Sequence, residues 1–128
     1  MKTSKILAVL MLAGMFLASC QKETPTQTFF HGGSLTIWSN TPKYGNITVW
    51  IDVPNSNPVG TITMFYYSPA PTCGSYGCVN LTNITAGVHT YYAESADGHV
   101  WSGRTYPTVY VVEGQCNMLL LGTPIELK

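Results

Sequence analysis

The chain has 128 residues, six basic and six acidic side chains, and charged residues at only 9% of positions. No cluster of Lys or Arg is present, so binding of nucleic acid by phosphate neutralisation is excluded as a leading reading. The length allows one domain with one core, and the longest apolar run falls short of the roughly 20 residues a membrane span needs.

That run opens the chain. Met1-Lys-Thr-Ser-Lys5 is a short basic segment, residues 6–18 carry no charge, and Leu17-Ala-Ser-Cys20 places small residues before a cysteine. This is the pattern of a lipoprotein signal peptide. Residues 1–19 are expected to be removed and Cys20 to carry a covalent lipid, the single attached group the sequence implies. The mature chain then has four basic and six acidic residues, a net charge of −2. Residues 20–28 comprise the lipidated cysteine and Gln21-Lys-Glu-Thr-Pro-Thr-Gln-Thr28, polar and without apolar period, a flexible tether. Gln21 is not the Asp that holds lipoproteins in an inner membrane, and Lys22-Glu23 is similar to surface-export tags. The expected place is the outer membrane of a Gram-negative bacterium, facing the periplasm or the outside.

Residues 29–128 read as a β-domain. Ser34-Leu-Thr-Ile-Trp-Ser39 alternates, as does Ile47-Thr-Val-Trp-Ile-Asp-Val53, with Ile47, Val49 and Ile51 on one face and Thr48, Trp50 and Asp52 on the other. Gly60-Thr-Ile-Thr-Met-Phe-Tyr-Tyr67 is rich in Thr and aromatics. Cys78-Val-Asn-Leu-Thr82, Val88-His-Thr-Tyr-Tyr-Ala-Glu94, His99-Val-Trp-Ser102, Thr108-Val-Tyr-Val-Val112 and Asn117-Met-Leu-Leu-Leu121 complete the series, with Gly114-Gln115 as a hairpin turn. β-Branched and aromatic residues at period two, separated by Gly, Pro, Asn and Asp, predict seven or eight antiparallel strands in an all-β sandwich, with a small closed barrel as the alternative.

With Cys20 assigned to the lipid, Cys73, Cys78 and Cys116 remain, so an oxidising compartment allows at most one intramolecular disulfide. Cys73–Cys78 is the favoured pair, because Pro71-Thr-Cys-Gly-Ser-Tyr-Gly-Cys78 reads as a tight turn; Cys78–Cys116 is the alternative. No ligand spacing for a metal is present, and no catalytic residue is nominated: Ser-x-x-Lys, Gly-x-Ser-x-Gly and His-Glu-x-x-His are absent. His31, His89 and His99 are read as exposed. A non-enzymatic protein is expected.

Ile47-Thr-Val-Trp-Ile-Asp52, Val59-Gly-Thr-Ile-Thr63, Gly77-Cys-Val-Asn-Leu81 and Thr85-Ala-Gly-Val-His-Thr-Tyr-Tyr-Ala93 follow in an order that resembles the carboxypeptidase-regulatory-like, or transthyretin-like, β-sandwich domains. The resemblance covers residues 47–121, with Leu81 where those domains usually carry Phe. Trp101-Ser-Gly103 and the strand after Cys116 resemble small lipoproteins of unknown function in Gram-negative bacteria. The resemblance implies a transthyretin-like or Ig-like Greek-key sandwich; because Gly87 lets the chain turn back, the strand after it is expected to pair with its predecessor.

The functional expectation is a non-catalytic binding, adhesion or structural accessory module held at the cell envelope by lipid on Cys20. One alternative is a carbohydrate-binding module that stacks sugars on Trp50, Trp101, Tyr67 and Tyr92. Another is a partner subunit or inhibitor that pairs through an edge strand. The expected partners are membrane lipid and either a glycan or an envelope protein.

Overall fold

The structure, a computed structural model, describes residues 32–54, 56–102 and 105–125. The predicted signal peptide (1–19), Cys20 and the tether (20–28) lie outside the described residues. Among the described residues seven strands form: β1 (Gly32–Ser39), β2 (Ile47–Ile51), β3 (Pro58–Ile62), β4 (Val79–Thr85), β5 (Gly87–Ser95), β6 (Thr108–Val111) and β7 (Cys116–Leu121). They divide into a three-stranded sheet, β4-β1-β7, and a four-stranded sheet, β3-β2-β5-β6. The fold is an all-β sandwich.

Alternation decides which side chains meet between the sheets. Leu35, Ile37, Val79 and Leu121 from one sheet pack with Ile47, Val49, Ile51, Ile62, Ala93 and Val111 from the other. Fully burying such an aliphatic side chain contributes roughly 1.5–3 kcal/mol. Trp101 joins this core at 5% exposure, and its indole N–H donates to the Gly122 carbonyl at 2.8 Å. Gly33 lies where the sheets approach closely, and a Cβ there would collide with the Val112 carbonyl and Val111.

The structure corrects four expectations about pairing. β1 is antiparallel to β4 but parallel to β7, so the sandwich is not wholly antiparallel. Gly114-Gln115 does not close a hairpin: β6 pairs with β5 and β7 with β1, so this turn carries the chain from one sheet to the other. The same holds at Gly87 (φ 128°), because β5 pairs with β2 and β6 rather than with β4. Lastly, the anticipated His99–Ser102 strand is reduced to bridges from Val100 to Glu94 and Ile125.

The strand predicted to run through Tyr67 stops at Ile62. From there residues 63–78 leave the four-stranded sheet and cross the outer face of the three-stranded one. The amides of Thr63 and Met64 both reach the Gly77 carbonyl, which closes the loop's base. The Tyr66 amide donates to the Ser39 carbonyl at 3.1 Å. Gly74 N–H donates to Thr36 Oγ1 at 3.0 Å, and Asn80 Nδ2 donates to the Ser75 carbonyl at 2.9 Å.

The disulfide joins Cys73 to Cys116, with Cα atoms 6.1 Å apart. The Cys73–Cys78 pair is not formed, nor is Cys78–Cys116; Cys78 is a free, half-buried thiol. The turn argument fails because Gly77 anchors the loop's base while Cys73 lies across the sheet, over Ser34 and Thr36. Ser34 is the β1 partner of Cys116, so Cys73 meets Cys116 there.

Candidate functional site

The outer face of the four-stranded sheet carries two adjacent cross-strand rows. Thr48 of β2 is flanked by Thr61 of β3 and Glu94 of β5, and the next row sets Trp50 between Pro58 and Tyr92. Both rows point away from the core because Ile47, Val49 and Ile51 occupy the alternate positions of β2. The tyrosine row continues past the ladder: Tyr106, just before β6, meets Tyr92 edge-on with ring centroids 6.4 Å apart. Trp50 and Tyr92 lie 5.3 Å apart at 60°.

Glu94 ties the rows together. The Tyr92 hydroxyl donates to Glu94 Oε2 at 2.7 Å. Burial, then that hydrogen bond and the charges of Glu94 and Tyr106, push the Tyr92 phenol up from 10 to about 12, so it remains a donor throughout the physiological range. Thr48 and Thr61 hydroxyls lie 3.4 Å apart. Beside them a shallow groove of about 480 Å³ is lined by Asn46, Thr48, Trp50, Thr61, Glu94, Ser95 and Ala96.

Of the four aromatic residues nominated from sequence, the structure brings two together. Trp50 and Tyr92 stand side by side on the open face. Trp101 is a core residue, because its strand segment turns inward to close the end of the sandwich, and it is unavailable for stacking. Tyr67 is exposed at 72% but sits on the 63–78 loop, over the other sheet. Trp38 is also buried, at 9%, although alternation turns it outward beside Thr36. The 63–78 loop is tied to that face at Thr36 and Ser39, on either side of Trp38.

Sequence reasoning missed two participants. Nothing in its local sequence singles out Glu94; only the β2–β5 register sets it beside Thr48. His89, read as exposed, is 6% exposed. Its Nδ1 lies 2.9 Å from Asp52 Oδ1 and its Nε2 is 2.7 Å from the Thr85 carbonyl. A signal was present: His89 shares the strand face of Tyr91 and Ala93, which period two turns inward.

Asp52, His89 and Thr85 have the composition of a nucleophile relay but not its proton arrangement. A carbonyl oxygen only accepts, so Nε2 donates to Thr85 O, while the Thr85 hydroxyl stands 3.4 Å away. The nitrogen that a relay needs as a base already carries a directed proton. The set instead clamps the turn after β2, where Asp52 adopts φ 60°, onto the start of β5. Among the described residues no group of three or more His, Cys, Asp or Glu is placed to hold a metal ion, and no helix is long and apolar enough to cross a membrane. Burial pushes the Cys78 thiol up, which lowers its nucleophilic fraction. The chain matches no protein-family model and no curated protein sequence.

Proposed function

We propose that this chain is a lipid-anchored, non-catalytic binding module of the bacterial outer membrane, and that it binds through the outer face of the four-stranded sheet. The anchoring half of this reading is supported by the basic, apolar and Leu-Ala-Ser-Cys segments ending at Cys20. The division into three and four strands, with the first and last side by side, supports a transthyretin-like sandwich over a closed barrel.

The observation that carries the binding half is the Trp50–Tyr92–Tyr106 row. It stands on the sheet face that points away from the core, and Tyr106 is 42% exposed. Aromatic faces beside a few fixed polar groups are the usual make-up of a recognition surface.

Two measurements test it. Cells producing the full chain are fed an alkyne-tagged fatty acid; label is expected on the wild type and none on Cys20→Ala, and an unlabelled wild type rejects the anchor. Hydroxyl-radical footprinting then compares intact envelopes with the purified protein. Trp50, Tyr92 and Tyr106 are expected to be protected in envelopes, and equal oxidation in both samples rejects the binding face.

A second reading, pairing of a partner along β7, is favoured by one observation. This six-residue edge strand carries no charge and exposes Met118 and Leu120 at 40% and 43%, the kind of edge that invites strand addition. Leu120→Lys is then expected to abolish that pairing in cross-linking of intact envelopes, while an unchanged adduct rejects it.

A further inference from the structure

We infer that the groove beside Trp50 binds an uncharged pyranose sugar; this rests on the proposed binding face and names its ligand. The groove has a mixed lining suited to a sugar, which is apolar on its C–H faces and polar around its rim. Trp50 supplies the aromatic side. Tyr92, its neighbour, does not line the groove, so the indole is braced from outside and presents a fixed wall.

The opposite needs are met by Thr48, Thr61, Asn46 and Glu94. The two threonine hydroxyls, 3.4 Å apart, each donate and accept, as does a side-chain amide. Glu94 spends one carboxylate oxygen on Tyr92, leaving the other to accept from a sugar hydroxyl in a charge-assisted bond. A volume of about 480 Å³ accommodates such a ring with room for a linked residue.

Charge selects within the sugars. Among the described residues Glu94 is the one ionisable side chain lining the groove, and neither Lys nor Arg lines it. A uronic or sialic acid brings a second negative charge toward Glu94, with no cation among the described lining residues to offset it. Nor do the rings form one flat platform, since Trp50 and Tyr92 are tilted by 60°. The geometry therefore points to one stacked ring, with specificity set by the polar row, rather than to a flat polysaccharide surface.

The test uses the full chain in a polyoxyethylene detergent, which offers no sugar headgroup to compete. Neutral gluco-, manno- and galacto-oligosaccharides and polygalacturonate are titrated by calorimetry. Binding of at least one neutral oligosaccharide is expected, weakened about tenfold or more by Trp50→Ala, partly restored in Trp50→Phe, and unchanged in Tyr67→Ala. Circular dichroism of each variant separates lost binding from lost folding. Preferential binding of polygalacturonate, neutral binding indifferent to Trp50→Ala, or no neutral sugar bound at all overturns the inference. If no sugar binds while the three aromatic residues remain protected in envelopes, the ligand class falls and the binding face stands. If protection is also absent, both fall.

Discussion

The outer faces of the two sheets carry similar side chains and treat them in opposite ways. On the three-stranded sheet, Thr36 and Trp38 point outward yet are 1% and 9% exposed; the 63–78 loop is tied to this face at Thr36 and Ser39, and Cys73–Cys116 fastens it. On the four-stranded sheet, Thr48 and Trp50 also point outward and are half-buried. The same Thr-x-Trp spacing thus yields a covered structural face and an open one. What separates them is the long loop after β3, not the strands themselves.

Cutting the fastening is expected to have the largest effect on this contrast. Cys73→Ser or Cys116→Ser frees a loop closed over a sequence separation of 43 residues, which in the chain-entropy treatment removes about 4 kcal/mol. The chemical denaturation midpoint should fall accordingly, and acrylamide quenching of tryptophan should rise as Trp38 is uncovered. An unchanged midpoint would mean that the loop's hydrogen bonds alone hold it, and that the two faces differ less than the disulfide suggests.

Gly33→Ala probes the inner side of the covered sheet. Its Cβ would strike the Val112 carbonyl, which is backbone and cannot move aside like a flexible side chain, so a loss of about 1–3 kcal/mol is expected. Gly122→Ala is the control. Nothing lies within 4 Å of a Cβ there, and a change within about 0.5 kcal/mol is expected. Similar thermal midpoints for the two variants would contradict the close approach of the sheets.

The clamp between Asp52 and His89 comes next in size. Asp52→Asn keeps a side chain that tolerates φ 60° while removing the charge facing His89 Nδ1. Because the Asp52 side chain is 62% exposed, solvent weakens the pair, and a loss of about 0.5–1 kcal/mol is expected. His89→Phe should cost more, since it also leaves the Thr85 carbonyl without its 2.7 Å donor. Both are read from denaturant midpoints; equal losses would place the whole effect on the Asp52 side.

The alternation of β2 and β5 made most of the open face legible in the sequence. It put Trp50 opposite Ile47, Val49 and Ile51, and it set Tyr92 on the other side from Tyr91, as observed. What alternation lacks is information about neighbours between strands. Glu94 became part of the site only through the register Thr48↔Glu94, and Trp101 left it only because its segment turns inward to meet Gly122. The disulfide departs from the sequence expectation for a related reason. Close spacing of Cys73 and Cys78 is a local cue, whereas the parallel β1–β7 pairing that brings Cys116 to Ser34 is a long-range one. Sheet changes at Gly87 and Gly114 look like hairpin turns in the sequence, because a turn residue does not say which sheet the next strand joins.

The smallest expected effect distinguishes the core side of β5 from its open side through two adjacent phenols. Tyr91 is pushed up by burial, and Tyr92 by burial first and by Glu94 in addition, to about 12. Folding that raises the value of a phenol favours its neutral form. The stabilisation is therefore fully present below the ordinary value near 10 and is lost as pH rises through about 12, where the folded chain also gives up the proton. Following tyrosinate absorbance at about 295 nm through the alkaline range should show late-titrating phenols beyond the main transition. Glu94→Gln removes the charge beside Tyr92 and should bring one late phenol down, though not to 10, because burial remains. Tyr91, on the other face, should not move. If both late phenols shift together, Glu94 acts through the whole strand rather than through its 2.7 Å bond to Tyr92. If neither shifts, that bond does not persist in solution, and the groove wall braced by Tyr92 is looser than its geometry indicates.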